Sequence, residues 1–288
     1  MKSTLPPRDL ALIGVVVVAW GTNFVAMTLA LGAFPPFLLV ALRTLVLLPL
    51  LAIVPRPKAP WWAILAIGAF IHAGQFGFLF AALVADVSPG LASLILQVQA
   101  PLTIVLSVAV FGERVRPAQA IGIAVAALGL FIVGASGGGN VTPVGLALVL
   151  IGAASWACGN LVLKTLSGAP MLPIFLWAGL VPPVPMLMLS AALETPDPLT
   201  AVLGAGPLAW AALAYVAVIS IVLGFSLWGA LIARHTAAAV TPFALLIPVV
   251  GMASAALVLG DLPSPGEAAG ALVVFAGLAL AVLAPRRA

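Results

Sequence analysis

One pattern occurs twice in the chain, as Phe111-Gly-Glu-Arg-Val-Arg-Pro117 and as Leu259-Gly-Asp-Leu-Pro-Ser-Pro265, at an offset of 148 residues. The match continues downstream at the same offset, where Pro117, Gly122 and Gly129 correspond to Pro265, Gly270 and Gly277. Nearer the start of each half, Ala19-Trp-Gly-Thr-Asn23 resembles Ser155-Trp-Ala-Cys-Gly-Asn160 with a slip of one residue. The sequence therefore predicts a duplication, with a first unit at residues 1–139 and a second at residues 140–288.

The composition predicts that both units lie in a membrane. Hydrophobic residues make up 64% of the 288 residues and charged residues only 6%, against roughly a quarter charged in soluble domains. A helix needs about 20 apolar residues to cross the hydrocarbon core of a bilayer. Ten such spans are predicted, at 10–30, 36–54, 61–84, 90–110, 118–135, 143–163, 170–192, 208–232, 238–259 and 266–284. The predicted fold class is an all-α membrane protein with two five-helix repeats.

Basic residues predict the orientation of these spans, because Lys and Arg near helix ends are retained on the cytoplasmic side. With the N-terminus inside, the cytoplasmic segments hold ten of the eleven basic residues, namely Lys2, Arg8, Arg56, Lys58, Arg114, Arg116, Lys164, Arg234, Arg286 and Arg287. The outer loops have no basic residue and carry Asp86, Glu194, Asp197, Asp261 and Glu267. Both termini are therefore predicted to be cytoplasmic.

The second unit must be inverted relative to the first, because each contains an odd number of spans. The charges agree with this, since the loop with Arg114 and Arg116 falls inside, whereas its counterpart at 259–265 has lost both residues and falls outside. Inverted repeats are typical of secondary transporters, in which one repeat rocks against the other around a site at the bilayer midplane. The sequence thus predicts a transporter that works by alternating access.

These residues resemble the drug/metabolite transporter superfamily, in its ten-helix branch of paired EamA-type repeats. The marks of the resemblance are Ala19-Trp-Gly-x-Asn23 in the first span, Leu42-Arg43 in the second, Pro101 in the fourth, and Gly112-Glu113-Arg114 before the Gly-rich fifth span. Within that branch the chain looks most like YddG-type bacterial exporters of aromatic and other amino acids. The resemblance implies export of small metabolites, most of all amino acids, across a bacterial inner membrane. A drug or other metabolite exporter of the same superfamily and a passive channel are the alternatives.

The chain departs from the small multidrug exporters of that superfamily, which place an essential glutamate after an alanine in their first helix. Here Ala19 is followed by Trp20. No Asp or Glu falls well inside a predicted span, so a carboxylate proton relay has no candidate. Facilitated export without proton coupling is therefore the simpler interpretation.

Polar side chains near the middle of a span are the candidate substrate-binding residues, since polar groups in lipid need a cavity or a partner helix. Together with neighbouring aromatic residues, the candidates are Trp20, Asn23, His72, Gln75, Phe76, Gln97, Trp156, Asn160 and Ser220. His72 and Gln75 are one α-helical turn apart and are expected on one face, and Ser220 is the repeat counterpart of His72. The alternative is that these side chains join helices by hydrogen bonds without contacting substrate.

Other residues have two interpretations each. His72 could titrate near physiological pH and couple protons. Arg43 could pair with a substrate carboxylate, although pairing with backbone carbonyls or outer headgroups is favoured. His235 is expected to be solvated in a cytoplasmic loop. Pro101 and Pro248 are either hinges or static kinks.

Several classes of function are disfavoured by the sequence. The single cysteine, Cys158, lies within a predicted span and offers neither a disulfide nor metal-ligand spacing. No cofactor, metal or enzymatic activity is predicted. The scattered basic residues do not suggest nucleic acid, so the expected partners are a small-molecule substrate and the lipid bilayer. Two complete repeats in one chain make a monomer sufficient.

Overall fold

A computed structural model describes residues 5–136, 140–166, 168–194, 197–235 and 237–283. Lys2, Arg286 and Arg287 lie outside the described residues, as do residues 1, 139 and 288 at the ends of the two units and residue 284 at the end of the last span. Every regular element in the described residues is helical. The predicted all-α class is confirmed.

Ten helical units follow one another in the described residues, and most of them begin at a proline. Proline suits the first helical position, because its φ is already helical and its missing N–H would have no partner there. The units are α1 (Pro7–Leu31), α2 (Pro36–Ala52), α3 (Trp61–Val84), α4 (Pro89–Phe111), α5 (Pro117–Ala135), α6 (Pro143–Thr165), α7 (Met171–Ala178 and Pro183–Leu193), α8 (Pro207–Arg234), α9 (Thr241–Leu259) and α10 (Pro265–Leu283). Two short helices, Pro198–Gly204 and Ala237–Val240, precede α8 and α9.

Within the described ranges, eight of these units are long and apolar enough to cross a membrane, all except α2 and α7. The two segments of α7 are bent by 43° and become a ninth span if they are counted together. The bend falls at Pro182 and Pro183, which cannot donate backbone hydrogen bonds. The apolar helix α2 has 17 residues, short of the about 20 that a span needs. Eight of the ten predicted spans are therefore confirmed as membrane-capable helices, and a bent and a short helix occupy the other two positions.

The two halves interrupt their helices at matching places. Both α3 and α8 contain a π-helical segment, at Gly68–Gln75 and at Tyr215–Gly224. Both α4 and α9 contain a 3₁₀ segment, which in each case lies just before a proline, Pro101 or Pro248. Because proline cannot donate a hydrogen bond to the preceding turn, that turn can tighten to 3₁₀ geometry.

The ends of α4 and α9 also match. Each helix stops at a glycine with a left-handed backbone, Gly112 with φ of 67° and Gly260 with φ of 69°. Glycine adopts this conformation without steric cost, and it is the usual residue after a helix C-terminus. The repeated Phe-Gly-Glu and Leu-Gly-Asp sequences thus make the same turn.

Helices α5 and α10 pack against each other along their lengths through the repeated glycines. A Cβ atom on Gly122 would lie 2.5 Å from the Ala281 nitrogen, and one on Gly277 would meet the Ala126 nitrogen. Each half therefore presents glycine to the backbone of the other, as the seven-residue spacing predicts.

The two ends of the bundle differ in charge. We call the end with the loops of Arg56, Arg114, Lys164 and Arg234 the basic end, and the opposite end, with Glu194, Asp261 and Glu267, the acidic end. At the acidic end, Glu194 accepts the Phe37 N–H at 2.6 Å and Asp261 accepts the Gly90 N–H at 3.1 Å. Carboxylates from the second half thus satisfy the N-terminal N–H groups of α2 and α4, where the helix dipole also favours them.

Candidate functional site

A cavity of about 820 Å³ lies between the two halves. Small-molecule sites usually have volumes of about 300–1,000 Å³. Its walls come from both halves, and they include eight of the nine predicted binding residues: Trp20, Asn23, Gln75, Phe76, Gln97, Trp156, Asn160 and Ser220. The structure therefore brings these eight side chains to one space. Whether they bind substrate stays a prediction.

Aromatic rings form a continuous wall on one side of the cavity. The Phe175 and Phe225 rings stack with centroids 3.8 Å apart, and Trp156 lies nearly parallel to Phe225 at 6.4 Å. Trp20 packs at 5.3 Å from both Phe225 and Trp228. Such faces bury large apolar area and accept flat or aliphatic groups. Sequence reasoning missed Phe175, Phe225 and Trp228, because aromatic residues are common in spans and these three do not adjoin the polar candidates.

Several predicted residues also join helices by hydrogen bonds. Trp20 Nε1 donates to the Ser220 carbonyl at 3.0 Å, Gln97 Nε2 donates to the Ala244 carbonyl at 2.9 Å, and Asn160 Nδ2 donates to Thr103 Oγ1 at 3.1 Å. From the sequence, these side chains were expected either to line a cavity or to join helices. Here the same side chains do both.

The π-helical segments provide acceptors for contacts between the halves. In α3 the Phe70 carbonyl accepts the Ser155 hydroxyl of α6 at 2.7 Å, and in α8 the Ser220 carbonyl accepts the Trp20 indole N–H of α1. π-Bulges disturb the ordinary i→i−4 ladder and are frequent at functional sites. Each half therefore offers a π-segment carbonyl to the other half, and the Ser220 carbonyl does so at the cavity.

Three amide groups at the cavity have oxygens without a partner. Asn23 Oδ1, Gln75 Oε1 and Gln99 Oε1 are buried, and none of them accepts a hydrogen bond from any described residue. A buried acceptor without a partner costs about 1–3 kcal/mol. A donor on a bound molecule could satisfy these oxygens if the cavity wall adjusts to uncover them.

His72 lies outside the lining of the cavity. It is 1% exposed, and its Nε2 atom is 3.0 Å from the Phe175 carbonyl, which links α3 to α7. The expectation that His72 and Gln75 share a face assumed an α-helix. In the π-helical segment the turn is wider, so residues three apart point in more divergent directions. Gln75 reaches the cavity, whereas His72 turns toward α7.

His235 does not stand alone in a solvated loop, which corrects the prediction. Its Nε2 atom is 2.7 Å from Asp9 Oδ2, and Arg234 Nη1 is 3.2 Å from Asp9 Oδ1. The sequence distance between Asp9 and His235 hides this contact, which arises because α1 and α8 pack side by side.

Arg43 is buried in the interior of the protein, with 1% of its surface exposed. Its guanidinium carbon lies 3.3 Å from the centroid of the Phe76 ring. The Nε and Nη1 atoms have no hydrogen-bond partner among the described residues. The favoured prediction, pairing with carbonyls or outer headgroups, is therefore wrong for these two atoms, because α2 packs against α3 and α7 and encloses the side chain.

The cavity extends from the centre of the bundle toward the basic end. There its lining includes partly exposed residues such as Arg116, Met171 and Thr241. Toward the acidic end the core residues Phe34 and Leu91 are at most 1% exposed. The described residues are therefore packed more tightly at the acidic end than at the basic end.

An all-helical membrane protein with a central cavity between two similar halves has the form of a secondary transporter. The EamA-like transporter family model matches residues 9–135 and residues 143–283. The chain belongs to the EamA-like transporter family, which confirms the resemblance to the drug/metabolite transporter superfamily. It is a multi-pass membrane transporter.

Known proteins similar to the chain include two bacterial ones. The chain is 40% identical over 271 residues to a "Probable amino-acid metabolite efflux pump" of Salmonella typhimurium, covering 91% of each chain. It is 36% identical over 287 residues to a protein of the same description from Escherichia coli, covering 97% of this chain and 96% of that one. A solved crystal structure has a TM-score of 0.64 at 21% identity and covers 97% of this chain and 98% of that one, a likeness of fold alone.

Proposed function

We propose that the protein exports amino acids or similar small metabolites across the bacterial inner membrane by facilitated diffusion. The observation that carries the proposal is the cavity of about 820 Å³, which combines an aromatic wall with three unpartnered amide oxygens. This combination suits a small molecule with an apolar side chain and a hydrogen-bonding head. The similar proteins described as amino-acid metabolite efflux pumps support the same substrate class.

The proposed architecture is ten spans in two inverted five-helix repeats, with units 1–139 and 140–288 and both termini in the cytoplasm. Three features support it. The family model matches once in each half, the π and 3₁₀ segments recur in α3, α4, α8 and α9, and the turns at Gly112 and Gly260 are alike. The basic end would then face the cytoplasm. Because the cavity requires both halves, one chain would suffice for transport.

The proposed mechanism is alternating access, with the present arrangement open to the cytoplasm. Substrate would enter from the basic end and bind between Trp20, Gln75 and Trp156. The acidic end would then open as the basic end closes. Pro101 and Pro248 lie where 3₁₀ and α segments meet, a suitable position for hinges. His72 would position α3 against α7, although it does not line the cavity in this arrangement.

Proton coupling has little support in the cavity. Among the described residues that line it, none is Asp or Glu. A carrier of zwitterions would therefore run down the substrate gradient. A passive channel is the alternative, since pores also carry polar residues at their centre. Against a channel is the tight packing at the acidic end, where Phe34 and Leu91 are at most 1% exposed.

The test is uptake of radiolabelled neutral and aromatic amino acids into proteoliposomes, with and without a pH gradient. We expect saturable uptake that is indifferent to the gradient and is accelerated by unlabelled substrate inside the vesicles. Trp156→Ala should reduce uptake at least tenfold. Trp62→Ala is the matched control, because Trp62 is 56% exposed on α3 and away from the cavity.

Three results would count against parts of the proposal. If no amino acid is taken up, the expected substrate becomes a drug or another metabolite. Uptake that follows the pH gradient would contradict facilitated diffusion. Uptake without saturation or acceleration by internal substrate would favour a channel.

A further inference from the structure

The strongest unexplained feature of the interior is the positive charge of Arg43. The side chain is 1% exposed, and no ion pair of the described residues includes it. Burying a charge without a counter-charge is costly, and an arginine cannot avoid the cost by losing its proton under ordinary conditions. The site therefore calls for an anionic partner that the described residues do not supply.

The Phe76 ring satisfies this charge only in part. A guanidinium over an aromatic face gains a cation–π attraction, and here the separation is 3.3 Å. The ring face cannot replace the two oxygen acceptors that Nε and Nη1 lack, since these N–H groups lie in the guanidinium plane and need acceptors there, such as a carboxylate oxygen. Phe76 itself lines the cavity. One aromatic ring therefore lies between an unsatisfied cation and the substrate space.

Unpartnered acceptors belong to the same cavity wall as Phe76. Gln75 precedes Phe76 in α3, and Asn23 comes from α1; the Oε1 and Oδ1 atoms of these residues are buried and unpaired. Amide oxygens accept hydrogen bonds and could receive them from an ammonium group. Unpaired donors on α2 thus lie behind Phe76, and unpaired acceptors on α1 and α3 belong to the wall that Phe76 helps to form.

We propose that this group of residues is a subsite for the zwitterionic head of an α-amino acid. The Arg43 guanidinium binds the carboxylate, and the Asn23 and Gln75 amide oxygens accept from the ammonium. The substrate side chain lies against Phe175 and Phe225. Because Arg43 is not part of the cavity lining, the Phe76 ring must turn aside for the carboxylate to reach it. This assignment rests on the proposed function and narrows it to substrates with a free carboxylate.

The experiment measures ligand-induced stabilisation of purified protein in detergent with three related probes. These are leucine, leucinamide, which lacks the carboxylate, and N-acetylleucine, which lacks the ammonium; phenylalanine and its two derivatives form a second set. A charge-assisted contact is worth roughly 10- to 100-fold in affinity. We therefore expect wild-type protein to bind the free amino acid at least tenfold more tightly than its amide.

Arg43→Met is the central variant, because replacing a buried charge with an apolar group of similar length is often neutral or stabilising. It should fold, bind the free amino acid 10- to 100-fold more weakly, and bind the amide as wild type does. Arg43→Lys should restore part of the carboxylate preference. Lys58→Met removes the same charge from an exposed loop and should change nothing. Gln75→Leu should reduce the preference for the free amino acid over N-acetylleucine.

The outcomes separate this subsite from the proposed function. Carboxylate-dependent binding that is lost in Arg43→Met supports the subsite, even if uptake into proteoliposomes fails and overturns amino-acid export. The subsite is wrong if the free amino acid and its amide stabilise the wild type equally, or if no probe with a carboxylate stabilises it. This conclusion holds whether or not amino acids are transported. An Arg43→Met protein with unchanged acid preference would likewise show that Arg43 serves only the packing of α2.

Discussion

The turns that end α4 and α9 have the same backbone but different partners. After Gly260, Asp261 accepts the Gly90 N–H at 3.1 Å and so joins the second half to the start of α4. After Gly112, Glu113 pairs instead with Lys164 at 2.6 Å, and both side chains are about half exposed. The protein is tightly packed at the acidic end, where Asp261 caps a helix. The cavity reaches toward the basic end, where Glu113 forms a surface ion pair. Equivalent residues in the two halves are therefore in different states.

The glycine contact between α5 and α10, which we call the seam, differs from the two turns. In the seam, each helix makes the same kind of contact with the other. Gly122 meets the backbone of α10, and its repeat mate Gly270 meets the backbone of α5. A symmetric contact has no second arrangement to adopt when the halves exchange roles. We therefore expect the seam to support folding and the two turns to set which end is open.

The largest effect is expected at the seam, from Gly122→Ala. In an exposed helix this change stabilises by about 1 kcal/mol, but here the new methyl group would overlap the α10 backbone. Overpacking of this kind costs about 1–3 kcal/mol, so the apparent melting temperature in detergent should fall by several degrees. Gly14→Ala is the matched control, because a Cβ there meets no atom within 4 Å and should be neutral or stabilising. Equal melting temperatures would contradict a close seam.

The next effect is expected at the acidic end, from Asp261→Ala. Loss of a helix cap costs about 1 kcal/mol, or roughly a fivefold shift between two states. If the cap is lost when the acidic end opens, Asp261→Ala should let that end open more often. The test uses Leu91→Cys in a Cys158→Ala background, because Leu91 is 1% exposed in this arrangement. The measurement is the rate at which a membrane-impermeant maleimide labels the new cysteine.

Labelling at position 91 should be about fivefold faster in Asp261→Ala than in the parent. The control is Asp197→Ala, the same change at an acidic-end carboxylate that caps the short helix following it, with acceptor contacts to Leu199 and Thr200. If both variants label at the same rate, the Asp261 cap does not keep the acidic end closed.

Hydropathy and repeat matching were sufficient to predict most of the helices and eight lining residues of the cavity. The reason is physical, since a polar or bulky side chain in mid-span has few places to go except a space between helices. The shortness of α2 was missed, because composition records apolar residues but not where a helix ends. In α7 the prolines at 182 and 183 indicate a bend, although the sequence does not give its angle.

The errors in the site came from local geometry and long-range contacts. The direction of His72 depends on a π-helical segment that has no clear signature in Gly68–Gln75. The burial of Arg43 depends on how α2, α3 and α7 enclose it, and the contact of Asp9 with His235 spans 226 residues. Spacing along one helix cannot supply such information.

A smaller effect is expected from Asp9→Asn at the basic end. Asp9 contacts both Arg234 and His235, and it lies in the first turn of α1, where a negative charge is favoured. Loss of the charge should lower the stability only slightly, because the arginine is half exposed and water screens it. Helices α1 and α8 are also joined by the bond from Trp20 to Ser220, so they should move together. The melting temperature should fall slightly, and the labelling rate at position 91 should not change. A faster or slower labelling rate would show that the contact of Asp9 with Arg234 and His235 controls which end is open.

The smallest effect, from Glu113→Gln, is the sharpest test of the comparison between the two turns. The exposed pair with Lys164 is worth at most about 0.5 kcal/mol, so the melting temperature should stay within error. If the halves exchange roles, Glu113 should cap the start of α9 when the basic end closes, as Asp261 now caps α4. Glu113→Gln would then weaken only the outward-open state and slow labelling at position 91 by roughly twofold, opposite in sign to Asp261→Ala. The double variant should return toward the parent rate, because each substitution removes a cap from one of the two states. Labelling that accelerates in Glu113→Gln, or that does not change in either direction, would mean that the two turns are alike in sequence and backbone but do not exchange roles.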